Sequence, residues 1–233
     1  WVTLVDNIEA QPIPGGGSEI QPTSMSQLCT NGRHVYVCNY FNTSATVYNS
    51  NGLQPLTLTN SIPLASTSSS TQGFVVQYDA ITGTTNWAAQ FLGDDITGNG
   101  TTRATGIVCD ANNVYMSGFF NNTATCYNAI TSASPTLGSY VYKVSNGINN
   151  GMFIIAYSKT GLVQWVNQGN ISNFSFIPIA VQLTMDATGL YTIVPFPNAI
   201  SFYVNPQPPA PASGAYLQLL NGGVNTYNLG IVK

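Results

Sequence analysis

The sequence predicts an all-β fold built from a repeated antiparallel unit, and three observations carry that prediction. Charged residues make up only 6% of the 233, against roughly a quarter in an ordinary soluble domain, so solubility falls to Asn, Thr, Ser and Gln. Thr suits a pleated surface, while Asn, Gly and Ser suit turns. No long stretch places apolar residues at helical spacing. The chain also repeats itself: "FNTSATVYN" at 41–49 returns as "FNNTATCYN" at 120–128, 79 positions later (120 − 41).

The repeat extends well beyond that nonapeptide. The same offset aligns "LCTNGRHVYVCNYF" (28–41) with "IVCDANNVYMSGFF" (107–120), so that Leu28 meets Ile107, Val35 meets Val114 and Tyr36 meets Tyr115. A further shift of 76 brings in "LTMDATGLYTIVPF" (183–196), with Asp186 under Asp110 and Tyr191 under Tyr115, and then a degraded nonapeptide "FPNAISFYV" (196–204). "FVVQYDAITGTTNW" (74–87) matches "FIIAYSKTGLVQW" (153–165) with one residue removed, keeping Thr82-Gly83-x-x-x-Trp87 and Thr160-Gly161-x-x-x-Trp165. "AYLQLLNGGVNTYNLGIVK" (215–233) is expected to be a weaker copy of this half, with Asn221-Gly222-Gly223 in the place of Thr-Gly. The opening "WVTLV" reads as the tail of an earlier unit, with Trp1 where Trp87 stands.

Each unit then holds four strands. A short apolar strand (28–29, 105–109, 180–185) is followed by a polar turn and an alternating strand such as "VYMSGF" (114–119). After a variable connection come an apolar strand (74–78, 153–157), a Thr-Gly hairpin and a last strand through the Trp. Turn residues between alternating runs are the hairpin signal. The connections are Ser/Thr-rich at 60–72, Ser/Asn/Gly-rich at 129–150 and Pro-rich at 205–214, the last a stiff surface loop. The excess length predicts an inserted hairpin in each unit, with "ATVYN" and "PLTLT" (55–59) as its arms in the first.

Four-stranded antiparallel units repeated head to tail are the pattern of β-propeller blades, because one twisted sheet cannot bury both faces and stacking around an axis does so. The expected organisation is a single propeller-like domain over 1–233, with units of about 78 residues at 24–103, 104–179 and 180–233, and 1–23 the tail of a preceding unit. Three units fall short of the roughly 4–8 blades of a closed propeller. The chain begins with Trp rather than Met. Both points predict a piece of a longer polypeptide, or a ring completed by several chains.

The stretch 73–120 resembles the SBBP family of β-propeller repeats, whose frame runs F-V-x-K-Y-D…G…W…G…D-x-x-G-N-V-Y-V-T-G-x-F, and 151–196 follows the same frame. The resemblance fades toward both ends; it implies a propeller fold and carries no catalytic residues. Asp79-x-x-Thr82-Gly83-x-x-x-Trp87 is also similar to the docking repeat of quinoprotein dehydrogenases. In that family Thr-Gly makes the hairpin turn and the Trp wedges between blades, which implies structural roles for Gly83, Gly161, Trp87 and Trp165 and no quinone cofactor.

Few residues are candidates for chemistry. Five Lys+Arg against eight Asp+Glu give a net charge of −3, which provides no basic stripe for nucleic acid or anionic lipid. There is no apolar run long enough for a transmembrane helix. The lone His34, two glutamates (Glu9, Glu19) and the absence of G-x-S-x-G leave little from which to build a nucleophilic site, and His34 reads as a surface residue. Cys29, Cys38, Cys109 and Cys126 lack zinc spacing and read as small hydrophobes on strands, a disulfide between two of them staying open. Asp94-Asp95 form a weak Ca²⁺ candidate against a solvated turn. Five N-x-[ST] sequons, at Asn42, Asn99, Asn121, Asn170 and Asn173, are glycosylation candidates, Asn42 and Asn121 being equivalent in the repeat. Tyr48 and Tyr127 are doubled, and read as packing positions rather than, with Tyr40 and Tyr203, a sugar-stacking surface.

The expected function is therefore non-enzymatic and needs no cofactor. It is that of a structural, assembly or interaction protein outside the cell, on a cell surface or in a virion, with other protein subunits as partners. The alternative is a lectin-like module that binds carbohydrate or another ligand through loops on one face.

Overall fold

The computed structural model describes residues 5–6, 27–42, 46–48, 55–57, 71–94, 100–131, 140–171, 181–196, 199–204, 217–220 and 228–232. Among these, every regular element is a strand and the pairing is antiparallel throughout. A first meander runs in the order β2 (Gln27–Thr30), β3 (His34–Asn42), β6 (Thr71–Asp79), β7 (Thr85–Asp94). A second follows as β8 (Thr102–Cys109), β9 (Asn113–Tyr127), β10 (Tyr140–Ser158), β11 (Val163–Ile171). The last part of the chain supplies β12 (Gln182–Asp186), β13 (Gly189–Phe196), β14 (Ala199–Val204), β15 (Leu217–Leu220) and β16 (Asn228–Val232).

Local chemistry sets the turns. Asn31 Oδ1 accepts from the N–H groups of Arg33 and His34, Asp110 Oδ1 from those of Asn112 and Asn113, and Asp186 Oδ1 from those of Thr188 and Gly189. Three equivalent first turns thus use one device, a short polar side chain that satisfies the backbone two and three residues on. The second turn of each meander does likewise, with Asp79 Oδ1 accepting from Ile81 and Thr82, and Ser158 Oγ from Thr160 and Leu162. Gly83 (φ 70) and Gly161 (φ 81) close these hairpins in the left-handed region that favours glycine.

The register repeats with the sequence. Leu28 pairs with Val37 as Ile107 pairs with Met116 and Leu183 with Thr192. Val35 faces Tyr78 as Val114 faces Tyr157, and Gln77 faces Trp87 as Ala156 faces Trp165, with a bulge immediately after Gln77 and Ala156 in both. The inserted hairpin is present: β4 (Thr46–Tyr48) pairs with β5 (Pro55–Thr57). In the second meander the corresponding arms are continuous with β9 and β10, whose pairing shifts between Ser145 and Asn150.

Consecutive parts of the chain are joined through this hairpin. The end of β7 pairs with the far end of β9 (Phe91↔Cys126), the end of β11 with β14 (Gly169↔Phe202), and β1 (Val5–Asp6) with β4 (Val5↔Val47). These are the same positions of the repeat three times over. Separate four-stranded sheets were the expectation; instead these bonds fuse both meanders into one curled ten-stranded sheet, flanked by the smaller sheets β1-β4-β5 and β12-β13-β16. No closed ring forms among the described residues. The expected third copy over 215–233 is also corrected. β15 pairs with β14 as part of the inserted hairpin, whereas β16 pairs with β13 (Phe196↔Asn228) where β6 and β10 stand beside β3 and β9. The described strands on either side of Asn221-Gly222-Gly223, β15 and β16, therefore belong to two different sheets. Those three residues, like the Pro-rich 205–214 and Trp1, lie outside the described residues.

The meanders also pack face to face. Buried Thr102 accepts from Gly73 N at 2.7 Å and donates to the Phe91 carbonyl, so β8 is pinned across β6 and β7. In the same way Thr105 Oγ1 and Ser117 Oγ hold the Val181 carbonyl at 3.1 and 2.9 Å, just ahead of β12. The largest core cluster lies between the meanders and includes Tyr36, Val75, Trp87, Phe91, Met116, Phe120, Phe153 and Tyr157. Trp87 is 3% exposed, its ring between those of Tyr36 and Tyr157 at 6.1 Å each, and its indole N–H donates to the Lys159 carbonyl at 3.1 Å. Trp165, one unit on, is only half-buried and rests against Tyr115. Trp87→Ala should lower the unfolding free energy by about 3–5 kcal/mol, measured by urea denaturation. Trp87→Phe should recover only part of that loss, because a six-membered ring stays between Tyr36 and Tyr157 but the N–H bond to the Lys159 carbonyl is gone.

Candidate functional site: a basic pocket between turns

The first turns of both meanders and the second turn of the second meander converge on one end of the sheet. They line an open surface pocket of about 450 Å³, formed by Asn31, Arg33, His34, Ala111, Lys159 and Thr160. Backbone bonds fix its walls: Ala80 N–H donates to the Arg33 carbonyl, and Lys159 N–H to the Asn112 carbonyl, both at 2.9 Å. The Lys159 carbonyl accepts from Gln77 Nε2 at 2.9 Å and from Trp87 Nε1. The Asn31 carboxamide reaches the Asp110 carbonyl at 3.5 Å. A buried amide, an indole and a neighbouring turn thus hold the Lys159 backbone, while its side chain is left at the rim.

The pocket gathers cations in a chain that has few. Two of the five Lys+Arg and the only His line it. The nearest carboxylates are engaged in their own turns. Asp79 is held below the usual carboxylate range by the N–H groups of Thr82 and then Ile81. Burial raises the Asp110 carboxyl, but the N–H groups of Asn112 and Asn113 and the Tyr115 hydroxyl more than offset this and leave it lowered. His34 is half-buried, edge-on to Tyr36, and its Nδ1 is buried with no hydrogen-bond partner among the described residues. Burial lowers its pKa, Arg33 and Lys159 lower it further, and Asp79 pulls the other way. An anionic group entering here would meet a guanidinium and an ammonium, and would favour protonated His34.

The other candidates are dispersed. Asn42 ends β3 opposite Thr71, and Asn121 occupies the same place opposite Asn150. Asn121 is half-buried, with its backbone N–H bonded to Thr101. Asn170 lies within the sheet between β10 and β14, its side-chain oxygen bonded to Gln168. Asn99, Asn173 and Asp95 lie outside the described residues, and of Asp94 only the backbone is described, paired with Thr123. Among the described residues no group of three or more His, Cys, Asp or Glu could hold a metal ion. In the doubled nonapeptide Phe41 with Phe120 and Val47 with Cys126 are buried in both copies and Ala124 in the second, while Tyr127 is half-buried and Tyr48 is described only in its backbone. Tyr40 carries the Arg103 guanidinium over its ring at 5.0 Å, away from the pocket.

No family model, curated protein or solved structure matches the chain.

The His34 shift makes a prediction with a definite sign. With the folded pKa below the unfolded value of about 6.5, the unfolded chain takes up the proton first as pH falls. Stability is then complete above that value and declines as pH drops through it toward the folded midpoint. The His34 ring protons followed by NMR should titrate below an unstructured His reference, and His34→Gln should remove this step from the pH–stability curve.

Proposed function

We propose that the chain is a non-enzymatic, β-propeller-like scaffold with a structural or assembly role in an exposed setting, a cell surface or a virion, and that its partners are other protein subunits. What supports this reading best is the recurrence of one joint, the end of a unit's last strand paired with the inserted hairpin of the next, at β1–β4, β7–β9 and β11–β14. A joint that recurs unchanged propagates an array rather than shaping one active site. The low charge suits such packing, because apolar and neutral polar surfaces meet without burying ions. Light scattering and cryo-electron microscopy on the native protein test it: assembly into a ring or array is expected, and a monomer of 24.8 kDa at all concentrations contradicts it.

The basic pocket favours a second reading, in which the scaffold recognises an acidic ligand, in keeping with a lectin-like module for carboxylated or sulfated sugars. On a glycan array, acidic glycans should be retained, with loss of about tenfold or more for Arg33→Ser with Lys159→Ser, which removes two charge-assisted contacts. Binding confined to neutral glycans, or unchanged in the double variant, contradicts it.

A further inference from the structure

We propose that Cys29 and Cys109 form a disulfide that staples the first strand of one meander to the first strand of the next. Cys29 lies in β2 opposite Tyr36, and Cys109 ends β8 opposite Val114. Both are free, half-buried thiols that pack against the same core cluster, and each is the largest single influence on the other's ionisation. The adjoining turns are tied by the Asn31–Asp110 bond, so the backbone already holds the two strands together at this point. The other two thiols are placed differently. Cys38 and Cys126 are 0% exposed, and Cys126 contacts the buried Tyr157 hydroxyl at 3.6 Å.

The pair is also suited to the chemistry. The neighbouring Cys29 lowers Cys109, so Cys109 is the first of the pair to become a thiolate, while Cys29 is raised. The thiolate of Cys109 attacks one sulfur of a small-molecule disulfide, expelling one thiol and leaving a mixed disulfide. Cys29, on losing its proton, then displaces the second thiol. The sum is two protein thiols plus one external disulfide giving one protein disulfide plus two external thiols, with two electrons passing to the reagent. Such a bond belongs to an oxidising, extracellular compartment. Burial pushes Cys38 and Cys126 up to about 12, which keeps them as thiols.

The test is to equilibrate the folded protein with oxidised glutathione, quench with acid, alkylate in denaturant and map peptides without reduction. The expected product is one cross-linked peptide pair containing Cys29 and Cys109, lighter by two hydrogens, with Cys38 and Cys126 recovered alkylated. Its melting temperature should fall by several degrees on reduction, and Cys38→Ser should keep the cross-link. Separate glutathione adducts on Cys29 and Cys109, their recovery as free thiols, or a link to Cys38 or Cys126 would overturn the proposal. The wild-type map decides the matter even if Cys29→Ser fails to fold.

Discussion

A strand at the edge of a sheet presents unpaired N–H and C=O groups, and proteins commonly protect it with charged side chains. With 6% charged residues this chain has few available for that task, and the repeated joint supplies the alternative. Where β7 runs past its backbone pairing with β6, at Leu92 to Asp94, it pairs with the far end of β9, while the Gly93 N–H on the β6 side is held by Gln72 Oε1. The inserted hairpin, which looks in the sequence like spare length, is the part that performs this closure. Its fully buried side chains include Val47 in one copy and Ala124, Cys126 and Val144 in the next, all 0% exposed.

Face packing adds a second constraint. The Trp87 indole bonds the Lys159 carbonyl and Gln77 bonds the same oxygen, so the second turn of one meander is held against the last two strands of the other. That contact brings Lys159 beside Arg33 and His34. The pocket is thus a by-product of unit docking, and its rigidity comes from buried groups that never touch its interior. A Cβ on Gly161 would run into Ala129 and come within 3.1 Å of the Trp87 ring, so glycine serves there both the turn and the close approach.

Much of this was legible in the sequence, because repetition marks what each unit needs. The Asx-type turns at Asn31, Asp110 and Asp186, the Thr-Gly hairpins and the arms of the first inserted hairpin all sit at aligned positions. The third unit was misread because "AYLQLL" looks like an apolar third strand, and only pairing to β14 reveals which sheet it joins. The fusion into one large sheet was hidden for a similar reason: alternation reports which face a side chain takes, and is silent on which strand lies alongside. The pocket and the Cys29–Cys109 contact were invisible on different grounds. Arg33, His34 and Lys159 occur once each, on turns distant in sequence, and the two cysteines occupy neighbouring rather than equivalent positions of the repeat. A search for recurrence passes over whatever is unique.

Neighbouring units share backbone pairing at the end of each last strand. Hydrogen–deuterium exchange resolved to Leu92 and Asp94 of β7 measures this directly, since both lie beyond the backbone pairing with β6, and the Gly93 N–H between them is held by Gln72 instead. Slow exchange is expected there, comparable with the interior of β6 and β10. Rapid exchange at Leu92 and Asp94 in a protein whose β6 and β10 stay protected would show a free edge and contradict it.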